Sequence, residues 1–150
     1  MTAGVRGVLV ALTCLAVAAC GHDFEPPDRS VRVERAAERY GAAIFDSLRW
    51  EGDAERELVG NTVYVERCRR CHGQLGRGDT DYVRERGLSV PSLVGADWPM
   101  ADLDSLRRKL FIGHEDGMPI FGEGTLTPRE IDATAWYVLL ILRPEVLGEG

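Results

Sequence analysis

Three residues in one short stretch have the types and the spacing needed to hold an iron porphyrin. Cys68 and Cys71 stand three positions apart, and His72 directly follows the second cysteine. Two thiols at this spacing can bond to the two vinyl groups of one porphyrin, while the adjacent imidazole places a nitrogen on the iron. The arrangement C-x-x-C-H is the attachment signature of a c-type haem. We therefore expect one covalent haem c on Cys68 and Cys71, with His72 as an axial ligand of the iron.

A C-x-x-C pair also serves other chemistries, which compete with the haem interpretation. A structural zinc ion needs four ligands, and the sequence contains no second C-x-x-C beside Cys68 and Cys71. A thioredoxin-like redox pair would require strands alternating with helices, and no such pattern is found around the motif. A non-haem C-x-x-C protein is therefore the least favoured alternative. It would regain support if the haem absorption did not stay with the polypeptide after denaturation.

The overall composition limits the class of partner. The chain has 150 residues, of which 45% are hydrophobic, and it carries 18 basic against 24 acidic residues for a net charge of -6. This length suits one modest domain with additional segments. An acidic balance argues against binding to nucleic acid, because neutralising phosphates requires basic clusters.

The amino-terminal segment has the pattern of an export signal. Arg6 precedes an apolar run over residues 8–19, which is shorter than the ~20 residues needed to span a bilayer. The run ends in the letters V-A-A-C at Cys20, which resemble the cleavage box of bacterial lipoproteins. The resemblance implies a signal peptide over residues 1–19, removed before Cys20, and lipidation of Cys20. Acyl chains there would hold the protein on a membrane, facing the periplasm or another extracytoplasmic side; an ordinary cleaved signal peptide is the alternative.

Residues 20–56 form a predicted linker between that anchor and the rest of the protein. Apolar residues recur every four positions from Ala36 to Leu48, which indicates a possible amphipathic helix over residues 31–49, interrupted by Gly41. We expect this helix to pack on the outside of the following domain. A contact surface for a partner protein is the alternative interpretation.

Residues 57–143 carry the helices that must position the motif. A helix over 57–67 would place Gly60, Tyr64 and Cys68 on one face. A second helix is predicted over 102–112. A final helix begins at Thr127, where Pro128 and Glu130 complete an amino-terminal signature, and it should end before Pro144, leaving 144–150 as a tail.

The second axial ligand is open among four residues. Met118 lies in Gly117-Met118-Pro119, where the proline restricts the backbone beside the thioether. Met100 follows Trp98-Pro99, and filling of the core would explain it equally well. The candidates, in order of preference, are Met118 and Met100, followed by His114 and His22.

Several of these features together resemble class I cytochromes c: the Gly60, Tyr64 and Cys68 spacing, the glycine-rich stretch after His72, Pro91-Ser92-Leu93, and Gly117-Met118-Pro119. The resemblance covers residues 57–143 and implies an all-α fold of three to four helices wrapped around one covalent haem c. It implies that Met118 is the distal ligand and that the Pro91 carbonyl accepts a hydrogen bond from the axial histidine. It also implies that the last helix crosses the first where Tyr137 meets Gly60 and Tyr64.

The resemblance further implies a carrier of single electrons between exported redox proteins rather than an enzyme. A His72/Met118 iron has both axial positions filled, so it can exchange electrons but cannot readily bind a substrate. Two alternatives are kept. The domain could be the haem c subunit of a larger respiratory complex, or a haem enzyme or sensor if the sixth position is open.

Overall fold

The computed structural model describes residues 26–100 and 102–149, and this part of the chain is helical with no β-strand. The predicted all-α fold is confirmed. Three predicted features, the signal peptide over residues 1–19, the lipidation site Cys20 and the ligand candidate His22, lie outside the described residues. The α-helices are, in chain order, α1 (Arg29–Arg39), α2 (Ala43–Asp46), α3 (Asp53–Val63), α4 (Arg69–His72), α5 (Asp81–Glu85), α6 (Leu103–Ile112), α7 (Pro128–Tyr137) and α8 (Arg143–Leu147).

Two five-residue π-helical stretches make longer rods out of neighbouring α-helices. Tyr64–Cys68 joins α3 to α4, and Val138–Leu142 joins α7 to α8. The helix predicted over 57–67 therefore belongs to a rod that begins earlier, at Asp53, and runs through the C-x-x-C-H motif. Single π turns inside helices are rare, and those that do occur are often found at functional sites. The position of Tyr64–Cys68, which ends at the first cysteine of the C-x-x-C-H motif, fits this tendency.

The first and last rods cross where the sequence predicts. A Cβ atom on Gly60 would lie 2.3 Å from the Ala133 carbonyl oxygen and 2.6 Å from the Cβ atom of Tyr137, so only glycine fits this contact. Beside it, the rings of Tyr64 and Tyr137 lie 5.7 Å apart at an angle of 50°. The crossing fixes the start of the attachment motif against the carboxyl-terminal rod.

Side-chain caps begin both α6 and α7, and the cap of α7 at Thr127 is the one that the sequence predicts. The Asp102 carboxylate accepts a hydrogen bond from the backbone N–H of Ser105 at 2.8 Å. Thr127 and Glu130 form a reciprocal capping box at the start of α7, with Pro128 in the first turn. These local signals set the beginning of each helix independently of its packing.

The prediction that the final helix ends before Pro144 is wrong, because α8 continues to Leu147. A proline is tolerated in the first turn of a helical segment, where its missing N–H has no partner to lose. Pro144 occupies that position because α8 starts at Arg143, directly after the π-helical stretch.

The segment before α3 is tightly attached to the helices that follow it. Helix α1 ends before Gly41, and its buried Ala36 packs against Ile112 and Ile120. Farther along, the Trp50 indole N–H donates to the Asp132 carboxylate at 2.9 Å. The predicted helix over 31–49 is thus two helices, α1 and α2, with the break near Gly41 that the sequence indicates. No helix in the described ranges has the length and apolarity to cross a membrane.

Candidate haem site

The two attachment cysteines lie at the junction between the first π-helical stretch and α4. Cys68 is buried and Cys71 is half-buried, and both are free thiols. Burial, reinforced by the neighbouring Cys71, raises the pKa of the Cys68 thiol to about 12. A buried thiol with so high a pKa is a poor redox nucleophile, which argues against the thioredoxin-like alternative. In the described residues, no three His, Cys, Asp or Glu side chains are grouped so as to hold a metal ion.

His72 ends α4 with its imidazole turned toward the protein interior. Burial lowers the pKa of His72, and the Pro91 carbonyl acts in the opposite direction as a hydrogen-bond acceptor. The Pro91 carbonyl faces the ring, but the buried Nδ1 atom has no well-formed hydrogen bond in the described structure. Burial favours the neutral imidazole, which is the form that binds iron.

The glycine-rich loop after His72 brings Pro91 to this position. The Gly78 N–H donates to the His72 carbonyl at 2.9 Å. Gly78 has a φ of +77°, and a Cβ atom there would lie 2.5 Å from the Val90 carbonyl oxygen. The Leu93 N–H donates to the Gly76 carbonyl at 2.7 Å. The loop and the segment containing Pro91 therefore lie side by side against the imidazole.

Tyr64 has a second role that its helical spacing did not suggest. Its hydroxyl donates to the Gly73 carbonyl at 2.8 Å, one residue past His72. The ring is buried and its pKa is raised by that burial, so the hydroxyl remains a donor. Tyr64 thus ties the end of the motif back to the helix that leads into it.

Met118 lies in a loop over residues 113–119, between α6 and the segment before α7. Its half-buried side chain packs on the main apolar cluster, which also contains Cys68 and Leu93. The Met118 carbonyl accepts a hydrogen bond from the His114 N–H at 3.1 Å, which closes the loop on itself. The loop therefore directs the thioether toward the same core as the first attachment cysteine.

The competing ligand candidates differ in their surroundings. His114 has a side chain 48% exposed, and its Nδ1 accepts the Asp116 N–H at 3.2 Å, so the ring is engaged at the surface. Met100 packs on the same core as Met118 and lines an open cavity of about 460 Å³, whose other walls are Ala96, Trp98, Leu103, Leu139, Leu140 and Arg143. Met100 therefore keeps its place as the second candidate, and His114 loses favour.

The residues brought together here fit a covalent haem c. Two unpaired thiols lie in the last turns of one helical rod, a half-buried imidazole whose buried Nδ1 atom has no hydrogen-bond partner follows them, and thioether candidates pack on the adjoining core. Thiols for attachment, imidazole and thioether for the iron are the donor set of electron-transfer haems. Cys68, Cys71 and His72 would hold the group from one side, and Met118 would complete the iron from the other.

In its described part, the chain is helical, its two rods cross at a glycine, and a half-buried imidazole directly follows two closely spaced thiols. This is the organisation of a class I cytochrome c. The family described as cytochrome c oxidase, cbb3-type, subunit III matches residues 55–138, which is more than half of the chain. The chain belongs to this family of monohaem cytochrome c domains, and it accordingly binds haem c covalently and takes part in electron transfer. No curated protein and no solved structure matches the chain.

Proposed function

We propose that this protein is a membrane-anchored monohaem cytochrome that passes single electrons between exported redox proteins, with iron bound by His72 and Met118. The observation that carries the proposal is the closed loop that packs Met118 on the cluster containing Cys68. The surface position of His114 supports the same choice of ligand.

The bound haem supplies reversible one-electron exchange at iron. Within this assignment, His72 holds the iron from the attached side, and burial of the imidazole keeps it neutral. The Met118 thioether is a soft ligand that favours ferrous iron and raises the reduction potential relative to two imidazoles. With His72 and Met118 both bound to the iron, small molecules would have no vacant site, which would suit a carrier better than an enzyme or a sensor.

Absorption spectroscopy of matched methionine variants tests the ligand assignment. Ferric haem with a thioether ligand gives a weak far-red band, which we expect in the unmodified protein and in Met100→Ala and not in Met118→Ala. Ferrous Met118→Ala should also bind carbon monoxide readily. Loss of the band in Met100→Ala alone would transfer the role to Met100. Rapid carbon monoxide binding by the unmodified protein would favour the enzyme or sensor instead.

Membrane anchoring through Cys20 is the second part of the proposal. The apolar run ending in V-A-A-C supports lipidation, as does the semi-rigid Pro26-Pro27 spacer that follows. We expect the haem protein to partition into detergent and the Cys20→Ala variant to be released or to keep its signal peptide. Normal membrane attachment of Cys20→Ala would remove the lipid anchor from the proposal.

The family description favours one further candidate, a haem c subunit of a larger membrane-bound oxidase. That description names subunit III of a cbb3-type cytochrome c oxidase. A stable complex that co-purifies after mild detergent extraction, with the haem protein in fixed stoichiometry, would support this candidate. A monomer that exchanges electrons at full rate with a separate donor and acceptor would favour the free carrier.

A further inference from the structure

The loop that presents Met118 is held together by very few of its own hydrogen bonds. The His114 N–H donates to the Met118 carbonyl, and the Gly117 N–H donates to the His114 carbonyl at 3.3 Å. The loop begins at Gly113, whose φ of +69° and close approach to the Met118 carbonyl leave no room for a Cβ atom. A loop with so few internal bonds needs support from elsewhere to keep one conformation.

Arg29 supplies such support from the opposite end of the sequence. Its Nε donates to the His114 carbonyl at 2.9 Å, and one terminal nitrogen donates to the Met118 carbonyl. The two acceptors lie 85 and 89 residues away along the chain. One guanidinium therefore spans the loop and fixes the carbonyl of Met118 itself.

The rest of α1 contacts the residues on either side of the loop. Ala36 packs against Ile112, which precedes the loop, and Ile120, which follows it. Arg32 and Arg39 both bind the Glu123 carboxylate, at 2.8 and 3.0 Å. The helix thus contacts the residues on both sides of the loop, while Arg29 bonds to carbonyls near the two ends of the loop, at His114 and Met118.

We propose that α1 is a clamp for the methionine loop and that Arg29 is the positioning residue that keeps Met118 on the haem iron. The inference rests on the proposed His72/Met118 ligation. The family match begins at residue 55, so the loop lies inside the matched region and α1 lies outside it. The clamp accordingly joins a segment outside the matched region to a loop inside it.

The chemistry of arginine makes two separable contributions. The planar guanidinium presents several donors in a fixed geometry that can bridge two carbonyls, which a lysine ammonium cannot reproduce in the same way. Its positive charge beside the backbone of Met118 disfavours the additional positive charge of ferric iron. Geometry should control how firmly the thioether stays bound, and charge should control the reduction potential.

Three substitutions in α1 separate these contributions. Arg29→Gln removes both the positive charge and the bridge between the two carbonyls, whereas Arg29→Lys keeps the charge without the bridge. Arg35→Gln removes an exposed charge of the same helix whose side chain makes no hydrogen bond or ion pair in the described structure. The two readouts are the pH at which the far-red band disappears as the pH is raised and the midpoint reduction potential. We expect the band of Arg29→Gln to disappear about one pH unit lower, a tenfold shift toward the open loop, together with a lower potential.

In Arg29→Lys, the far-red band should disappear at a lower pH than in the unmodified protein, while the reduction potential should stay close to that of the unmodified protein. Arg35→Gln should change neither this pH nor the potential. Arg32→Gln is the structural comparison, because it breaks the contact with Glu123 without touching the loop. If α1 only stabilises the fold, Arg32→Gln and Arg29→Lys will lower the pH at which the band disappears by the same amount, and the positioning role of Arg29 is wrong. Unchanged band and potential in Arg29→Gln would equally overturn it.

The outcomes also separate this inference from the proposed function. A Met118-dependent band that is insensitive to Arg29 would leave the His72/Met118 ligation in place and overturn the clamp alone. Absence of that band from the unmodified protein would overturn both. If Arg29→Gln does not fold, the comparison of Arg29→Lys with Arg32→Gln still decides the question. Both variants retain α1, but only Arg29→Lys changes a side chain that contacts the loop.

Discussion

The two sides of the haem site are held in different ways. On the side of His72, the supporting bonds join residues close in sequence, such as Tyr64 with Gly73 and Leu93 with Gly76. On the side of Met118, the loop also receives side-chain hydrogen bonds from Arg29, more than eighty residues away in the sequence. The attached side is thus organised within one stretch of chain, and the distal side depends on docking of a separate helix.

This difference indicates which half of the site can vary without the other. The hydrogen bonds on the side of His72 close short loops, which costs little conformational entropy, so they form together with the C-x-x-C-H segment. The distal support forms only if α1 and the residues after it dock on the domain. A substitution that loosens this docking should therefore act on Met118 before it acts on His72, whereas one in the attached loop should do the reverse.

The largest expected effect concerns Asp132, which fastens the segment after α1 to the domain. Asp132 is 1% exposed and accepts hydrogen bonds from Trp50, Arg56 and Arg107. Removing one partner of a buried ion pair leaves uncompensated charge and costs about 3–5 kcal/mol. We expect Asp132→Ala to lower the free energy of unfolding by that amount, measured by denaturant titration of the haem protein.

Asp97→Ala is the matched control, since Asp97 is an exposed aspartate with no side-chain bond in the described structure. It should change the free energy of unfolding by less than about 0.5 kcal/mol. If Asp132→Ala were no more destabilising than this control, the segment containing Trp50 would not be held through Asp132, and the distal side would not depend on it.

The next effect isolates the distal loop. Gly113→Ala places a methyl group 2.6 Å from the Met118 and Pro119 carbonyl oxygens at a φ that favours glycine. Backbone strain of this kind costs about 1–3 kcal/mol. We expect the far-red band to be lost or greatly weakened near neutral pH, while the haem stays covalently attached. An intact band would show that the loop tolerates displacement of the Met118 carbonyl.

Gly78→Ala is the counterpart on the attached side. The new methyl group would lie 2.5 Å from the Val90 carbonyl oxygen, again at a positive φ, so a similar loss of about 1–3 kcal/mol is expected. Here the contact that changes is between His72 and the Pro91 segment. We expect a shifted reduction potential with the far-red band retained. Loss of the band in Gly78→Ala but not in Gly113→Ala would contradict the division of the site into two independently held sides.

The sequence predicts the attached side better than the distal one, for a physical reason. The crossing at Gly60, the cap at Thr127 and the all-α fold depend on local spacing, and each is confirmed. The contact between Arg29 and the methionine loop has no such signal, because many arginines line the polar face of α1 and nothing in their spacing selects one carbonyl partner. The sequence does not indicate that the helix continues past Pro144, because the π-helical stretch before it places this proline in the first turn of a new helical segment. The attachment of haem to Cys68 and Cys71, the ligation of iron by His72 and Met118 and the role of Pro91 as a hydrogen-bond acceptor stay predictions.

The smallest effect is a pH dependence on the distal side alone. Hydrogen bonding to Arg32, aided by the charge of Arg39, lowers the pKa of Glu123 below its ordinary value. A carboxylate with a lowered folded-state pKa adds stability above its unfolded pKa of about 4.3, and this contribution is lost as the pH falls through the folded pKa. The three side chains are partly exposed, so the contribution should stay below about 1 kcal/mol. We expect Glu123→Gln to be less stable than the unmodified protein at pH 7 and to approach it below pH ~4, as measured by denaturant titration. A gap that widened as the pH fell would mean that the pairs with Arg32 and Arg39 do not stabilise the clamp.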